Sequence, residues 1–96
     1  MKYTVIIEQN AFDQIIDCVI FVKNVSTESA TKLYEEIMES IRSLEEFPLR
    51  NPVDPDFKVA NQEERKMIIS NGRYFILYSV TDKEVFVEYF KDARKR

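Results

Sequence analysis

The spacing of apolar residues divides the chain into a helical part and an alternating part. A short run of β-branched and aromatic residues, Lys2 to Glu8, reads first as a strand. Phe12, Ile15, Ile16, Val19, Ile20 and Val22 then recur at helical intervals, with Asn10 as the expected N-cap. Val19 to Val22 is apolar all round, so this helix is expected to be buried on more than one side or to touch a partner. Asn24 to Thr27 breaks the pattern, and Ser26 or Thr27 can cap a second helix. Ala30, Leu33, Tyr34, Ile37, Met38, Ile41 and Leu44 form its stripe, and Lys32, Glu35, Glu36, Glu39, Arg42 and Glu46 its opposite side. Pro48 ends it near Phe47.

Pro48 to Glu64 contains all three prolines and few paired apolar residues. It is expected to be a long surface loop, with a turn at Val53-Asp54-Pro55-Asp56. From Arg65 the residues alternate. Asn71-Gly72 is a two-residue hairpin signal joining Arg65–Ser70 to Arg73–Val80, and Asp82-Lys83 marks a second turn before Glu84–Lys91. The sum is an α+β fold of one domain spanning 1–96: an N-terminal strand, a helical hairpin, then a three-stranded antiparallel meander, all strands in one sheet.

Register from the two turns pairs Ile68 with Phe75 and Phe75 with Phe90. One face then carries Met67, Ile69, Ile76, Tyr78, Val80, Val85, Val87 and Tyr89, and is expected to pack on the helices. The other carries Lys66, Ile68, Arg73, Phe75, Leu77, Phe86, Glu88 and Phe90, with Arg94 beyond the strand end. Apolar residues interleaved with cations on an otherwise open face are expected to form a partner surface, made of Ile68, Phe75, Leu77, Phe86, Phe90 and Arg94.

Charge reinforces that reading. The formal net charge is −3, but residues 1–64 sum to −7 and residues 65–96 to +4, with Lys91, Arg94, Lys95 and Arg96 bunched at the end. A basic end steers anionic partners. The rest of the composition mainly excludes chemistry. There is no histidine, so imidazole acid–base catalysis and His metal sites are absent, and one cysteine cannot build a thiolate zinc cluster or an intrachain disulfide. Gly72 is the single glycine, so there is no phosphate-cradling loop. The paired glutamates, Glu63-Glu64 among them, are expected to be solvated charge, and no cofactor or metal is expected. A short apolar N-terminus and one cysteine, Cys18, lead to the expectation of a cytoplasmic protein that does not enter membranes.

The order of elements, together with Glu64-Arg65-Lys66-Met67-Ile68-Ile69, Tyr74-Phe75-Ile76-Leu77-Tyr78-Ser79-Val80, Val85-Phe86-Val87 and Arg94-Lys95-Arg96, resembles the RelE/ParE superfamily of type II toxin–antitoxin toxins (plasmid stabilisation proteins). Ser43-Leu44-Glu45-Glu46-Phe47-Pro48 adds to the likeness, which covers nearly the whole chain. The resemblance implies a growth-inhibiting toxin of an addiction module, neutralised by a cognate antitoxin that also carries any binding to operator DNA. Where ribonuclease members place basic residues on the sheet, this chain has Lys66, Ile68 and Phe75; the terminal basic position is Arg94 or Lys95, and no aromatic follows it. Lys66, Arg73, Arg94 and Lys95 are therefore the catalytic candidates. A ParE-like inhibitor of DNA gyrase is the first expectation. A RelE-like ribosome-dependent mRNA endoribonuclease, or a weakly toxic or inactive member that only binds antitoxin, remain the alternatives, and with them the question of whether the chain is an enzyme.

Overall fold

The computed structural model describes residues 2–59 and 62–94. Strand β1 (Thr4–Ile7) leads into helices α1 (Gln9–Lys23) and α2 (Thr27–Ser43), followed by β2 (Val53–Val59), β3 (Gln62–Ile69), β4 (Tyr74–Val80) and β5 (Glu84–Asp92). The strands form one five-stranded sheet in the order β1-β5-β4-β3-β2, with β1 parallel to β5 and every other pair antiparallel. The helical hairpin packs on one face of this sheet. Ala11 and Ile15 of α1, Leu33, Ile37 and Ile41 of α2, and Leu44 just beyond it meet Met67, Ile69, Ile76, Tyr78, Val85 and Val87 in the core.

The two helices start differently. Ser26 caps α2, its hydroxyl accepting from the Ser29 amide at 3.1 Å. Asn10 does not cap α1, contrary to expectation. The helix begins two residues earlier, with Glu8 at the N-cap, and the Asn10 amide instead donates to the Glu88 carbonyl at 3.1 Å. It ties the helix start to β5. The outer side of α1 is left uncovered by the described residues: Ile20 is 53% and Phe21 71% exposed.

The segment expected to be a loop contains a strand. β2 pairs with β3 through Val53↔Arg65 and Asp54↔Glu64, and again through Lys58↔Glu63 and Val59↔Gln62, with a register shift between. Prolines concealed it, since they are usually excluded from ladders. Here they are accommodated. β2 is an edge strand, the Pro52 carbonyl accepts from the Lys66 amide at 3.0 Å, and Pro55 lies within the shift. The Asp54 carboxylate accepts from the Asp56 amide at 2.9 Å and turns the chain there. The Arg65 guanidinium fastens the connection from α2, donating to the carbonyls of Leu49 (3.3 Å) and Asn51 (2.7 Å).

The β3–β4 hairpin has the expected register, Ile68↔Phe75 and Ile69↔Tyr74. Its tip uses three left-handed residues, Ser70, Asn71 and Gly72, rather than two. Glu36 of α2 accepts the Ser70 amide at 2.9 Å, which holds the tip against the helical layer.

Tyr78 connects the sheet to the α2–β2 connection. It is fully buried, its hydroxyl donates to the Pro48 carbonyl at 2.6 Å, and it accepts from the Asn51 side chain at 3.1 Å. Tyr78→Phe leaves that carbonyl without its donor and is expected to cost about 1–3 kcal/mol. Ile37→Ala, a truncation at a fully buried site, is expected to cost about 2–5 kcal/mol. Urea unfolding of the two variants checks both values, and a Tyr78→Phe variant as stable as the parent removes the hydroxyl from the fold's support.

Candidate functional site

The site is built on the sheet face that points away from the helices. Its shape depends on β5. Val80↔Val85, Ser79↔Phe86 and Tyr78↔Val87 follow the turn, but the next pair is Leu77↔Tyr89. Glu88 is the extra residue of a bulge. Beyond it, side-chain parity is reversed relative to the simple hairpin register.

This overturns two placements. Phe90, expected on the open face, is 4% exposed in the core and stacks on Tyr74 with ring centroids 5.3 Å apart. Tyr89, expected in the core, lies with Phe57 of β2 in an edge-to-face contact at 5.2 Å. Its partner in register is Leu77, a residue of the open face. Leu77 itself is 1% exposed and is not available to a partner in this conformation.

Three rows cross β3, β4 and β5 on this face. Nearest the hairpin tip are Ile68, Phe75 and Lys91; next come Lys66, Leu77 and Tyr89. The third holds Glu64, Ser79 and Phe86, with Glu88 beside them. In the first two rows the cations sit on rings. The Lys66 ammonium is 4.4 Å from the centroid of Phe75, and that of Lys91 is 5.2 Å from Tyr89 and 6.0 Å from Phe57. Ile68 is 56% exposed, and Phe75 and Phe86 are half-buried.

The third row is acidic and closed. Glu64 is fully buried rather than solvated, and Glu88 is nearly so. One Glu88 oxygen accepts from the Ser79 hydroxyl at 2.7 Å, while both oxygens of Glu64 and the other of Glu88 lack a conventional donor. Burial, then the neighbouring Glu88 carboxyl and a hydrogen bond with it, push the pKa of Glu64 up to about 8. The raised value favours the protonated form of Glu64 at neutral pH.

Arg73 and Arg94 do not join Lys66. Arg73 stacks over Tyr74 at 5.6 Å. Both arginines line a cleft of about 480 Å³ beside α1, together with Cys18, Phe21 and Phe90. Arg94 is turned onto the Asp92 carboxylate at 3.2 Å. Arg73 precedes β4, and its carbonyl accepts from the Ala93 amide at 2.9 Å, which places it beside the end of β5. Lys95, the remaining catalytic candidate, lies outside the described residues.

No protein-family model and no curated protein matches the chain in sequence. Solved structures do match it in shape. A chain of the chromosomal ParDE TA system from P. aeruginosa superposes with a TM-score of 0.72 at 16% identity, over 95% of this chain and 96% of that one. A chain of the archaeal RelE–RelB complex from Pyrococcus horikoshii OT3 superposes with a TM-score of 0.60 at 19% identity, over the whole of both chains. The chain has the RelE/ParE fold.

Within that fold, the open face combines aromatic surface, two ring-bound ammonium groups and a buried carboxyl pair. Sequence reasoning placed Lys66, Ile68, Phe75, Phe86 and Glu88 on this face, and the structure places them there. It missed Tyr89, Lys91 and Phe57, because the bulge and β2 were not anticipated. Glu64 shares strand parity with Lys66 and Ile68, so its face was legible, but its burial was not.

Glu64 gives the fold a dependence on pH. The folded state binds a proton that the unfolded chain releases near its ordinary value of 4.5. This contribution to stability is full below that value, falls as pH rises, and is lost above about 8. Glu64→Gln is expected to flatten the decline by about one proton and to be more stable than the parent at alkaline pH. Urea midpoints measured across this range test it; parallel profiles for parent and variant contradict the raised pKa of Glu64.

Proposed function

We propose that this chain is the toxin of a type II toxin–antitoxin module, neutralised by a cognate antitoxin segment lying on the open sheet face, and that it acts as a ParE-like inhibitor of DNA gyrase in the cytoplasm. The observation carrying this reading is the composition of that face. Its exposed and half-exposed groups, Ile68, Phe75, Phe86 and Tyr89, suit a protein partner, while its two described cations already lie over aromatic rings. A nuclease needs charge placed where the phosphodiester becomes more anionic in the transition state. Glu64 and Glu88 put carboxyls at the inner end of the face instead. No helix among the described residues is long and apolar enough to cross a membrane, consistent with a target met in solution.

The alternative, RNA cleavage on the ribosome, draws on Lys66 and Lys91. They lie in adjacent rows and could contact phosphate if their rings were taken up by bases. Inhibition of gyrase supercoiling by the purified protein is the expected result. Codon-phased mRNA cuts on ribosomes after induction, with gyrase unaffected, overturn it in favour of the ribonuclease. Growth that continues under tight induction points to the weakly toxic or inactive alternative.

Under either toxic activity, Lys66→Ala with Lys91→Ala is expected to relieve growth arrest by at least about tenfold in surviving colonies, because it removes both cations from the face. Arg94→Ala is expected to have little effect, since Arg94 lies on the α1 side. Thermal unfolding of the same proteins confirms that they fold. Full toxicity in a folded Lys66/Lys91 variant removes this face from the mechanism.

A further inference from the structure

The sheet has a free edge at β1, on the opposite side of the molecule from β2. The Thr4 and Glu8 amides donate to the Lys83 and Val87 carbonyls of β5, both at 2.9 Å. In a parallel ladder the donors alternate, so the N–H groups of Val5 and Ile7 point outwards. Just before them, the Tyr3 amide reaches the Glu45 carbonyl at 2.7 Å, which closes the lower end of the edge against the turn after α2. Edge strands are normally blunted by lysine, proline or a covering element. β1 has neither lysine nor proline; it is short, and the turn after α2 covers only its lower end.

Beside this edge runs an open groove of about 710 Å³ between β1 and α2. Its floor is apolar, formed by Val5, Ile7, Met38 and Ile41. Its rim is acidic: Glu35, Glu39 and Glu45 against a single cation, Arg42. Unpaired backbone groups, an apolar floor for every second side chain and a charged rim are the three elements of strand addition. The acidic rim selects against the nucleic acid or anionic surface that the basic end of the chain would suit.

We infer that the β1 edge and the groove beside α2 form a strand-addition site for an extended protein segment that alternates apolar residues with lysine or arginine. Backbone hydrogen bonds to Val5 and Ile7 hold the segment, its apolar side chains enter the groove, and its cations meet the glutamate rim. The site is separate from the open sheet face and does not depend on the toxin reading.

A short peptide alternating valine with lysine, and a control alternating valine with glutamate, test the site by amide NMR titration of the full chain. The lysine peptide is expected to shift the Val5 and Ile7 amides and to bind about tenfold more tightly than the control at low salt, the difference shrinking as salt rises. Glu35→Lys with Glu39→Lys, both exposed, is expected to reverse the preference while leaving thermal unfolding unchanged. Equal binding of the two peptides, or shifts elsewhere without the β1 amides, overturns the inference. So does concentration-dependent pairing of β1 with β1 of a second copy in the absence of peptide.

Discussion

One extra residue in β5 governs the arrangement of this molecule. Side chains alternate along a strand, so inserting Glu88 between the Tyr78↔Val87 and Leu77↔Tyr89 pairs exchanges the faces of everything that follows. Phe90 enters the core and stacks on Tyr74; Tyr89 leaves it and meets Phe57. The Glu88 carbonyl becomes an acceptor for Asn10 at the start of α1, and its side chain faces the buried Glu64. Without the bulge, the core would lose a stacked aromatic pair and the open face would lose its tyrosine.

The open face thereby acquires a gradient. Near the hairpin tip it is apolar and cationic, through Ile68, Phe75 and the ring-bound Lys66 and Lys91. Towards the opposite end of β4 it becomes a closed carboxyl pair. Burying two carboxyls together is costly unless one stays protonated. The raised pKa of Glu64 links the state of this end of the face to the stability of the domain.

The two long sides of the sheet are managed differently. At β2, prolines, a register shift and Arg65 bonded to two carbonyls discourage further pairing. At β1 the outward amides of Val5 and Ile7 face an apolar groove with an acidic rim. Lys91 and Arg94 lie on different parts of the surface from this acidic groove. A net charge of −3 conceals both.

The sequence by itself determined the local elements. The three-four stripe of α2, its Ser26 cap and the hairpin around Asn71-Gly72 all follow from hydrogen bonds and burial between residues close in the chain. It also determined the faces of Lys66, Ile68 and Phe75, because the β3–β4 ladder that holds them runs from the hairpin without a register shift. Only the tertiary structure decided the rest. Val53-Asp54-Pro55-Asp56-Phe57-Lys58-Val59 alternates like a strand, but its pairing depends on whether a neighbour can tolerate missing proline donors, which an edge position permits. Glu88 can be in register or extra; the choice rests on packing Phe90 against Tyr74 and α1, contacts between distant parts of the chain. Whether Glu64 is solvated or buried likewise depends on strands that lie beside it only in the folded molecule, so a charged residue that reads as surface became a buried carboxyl with a raised pKa.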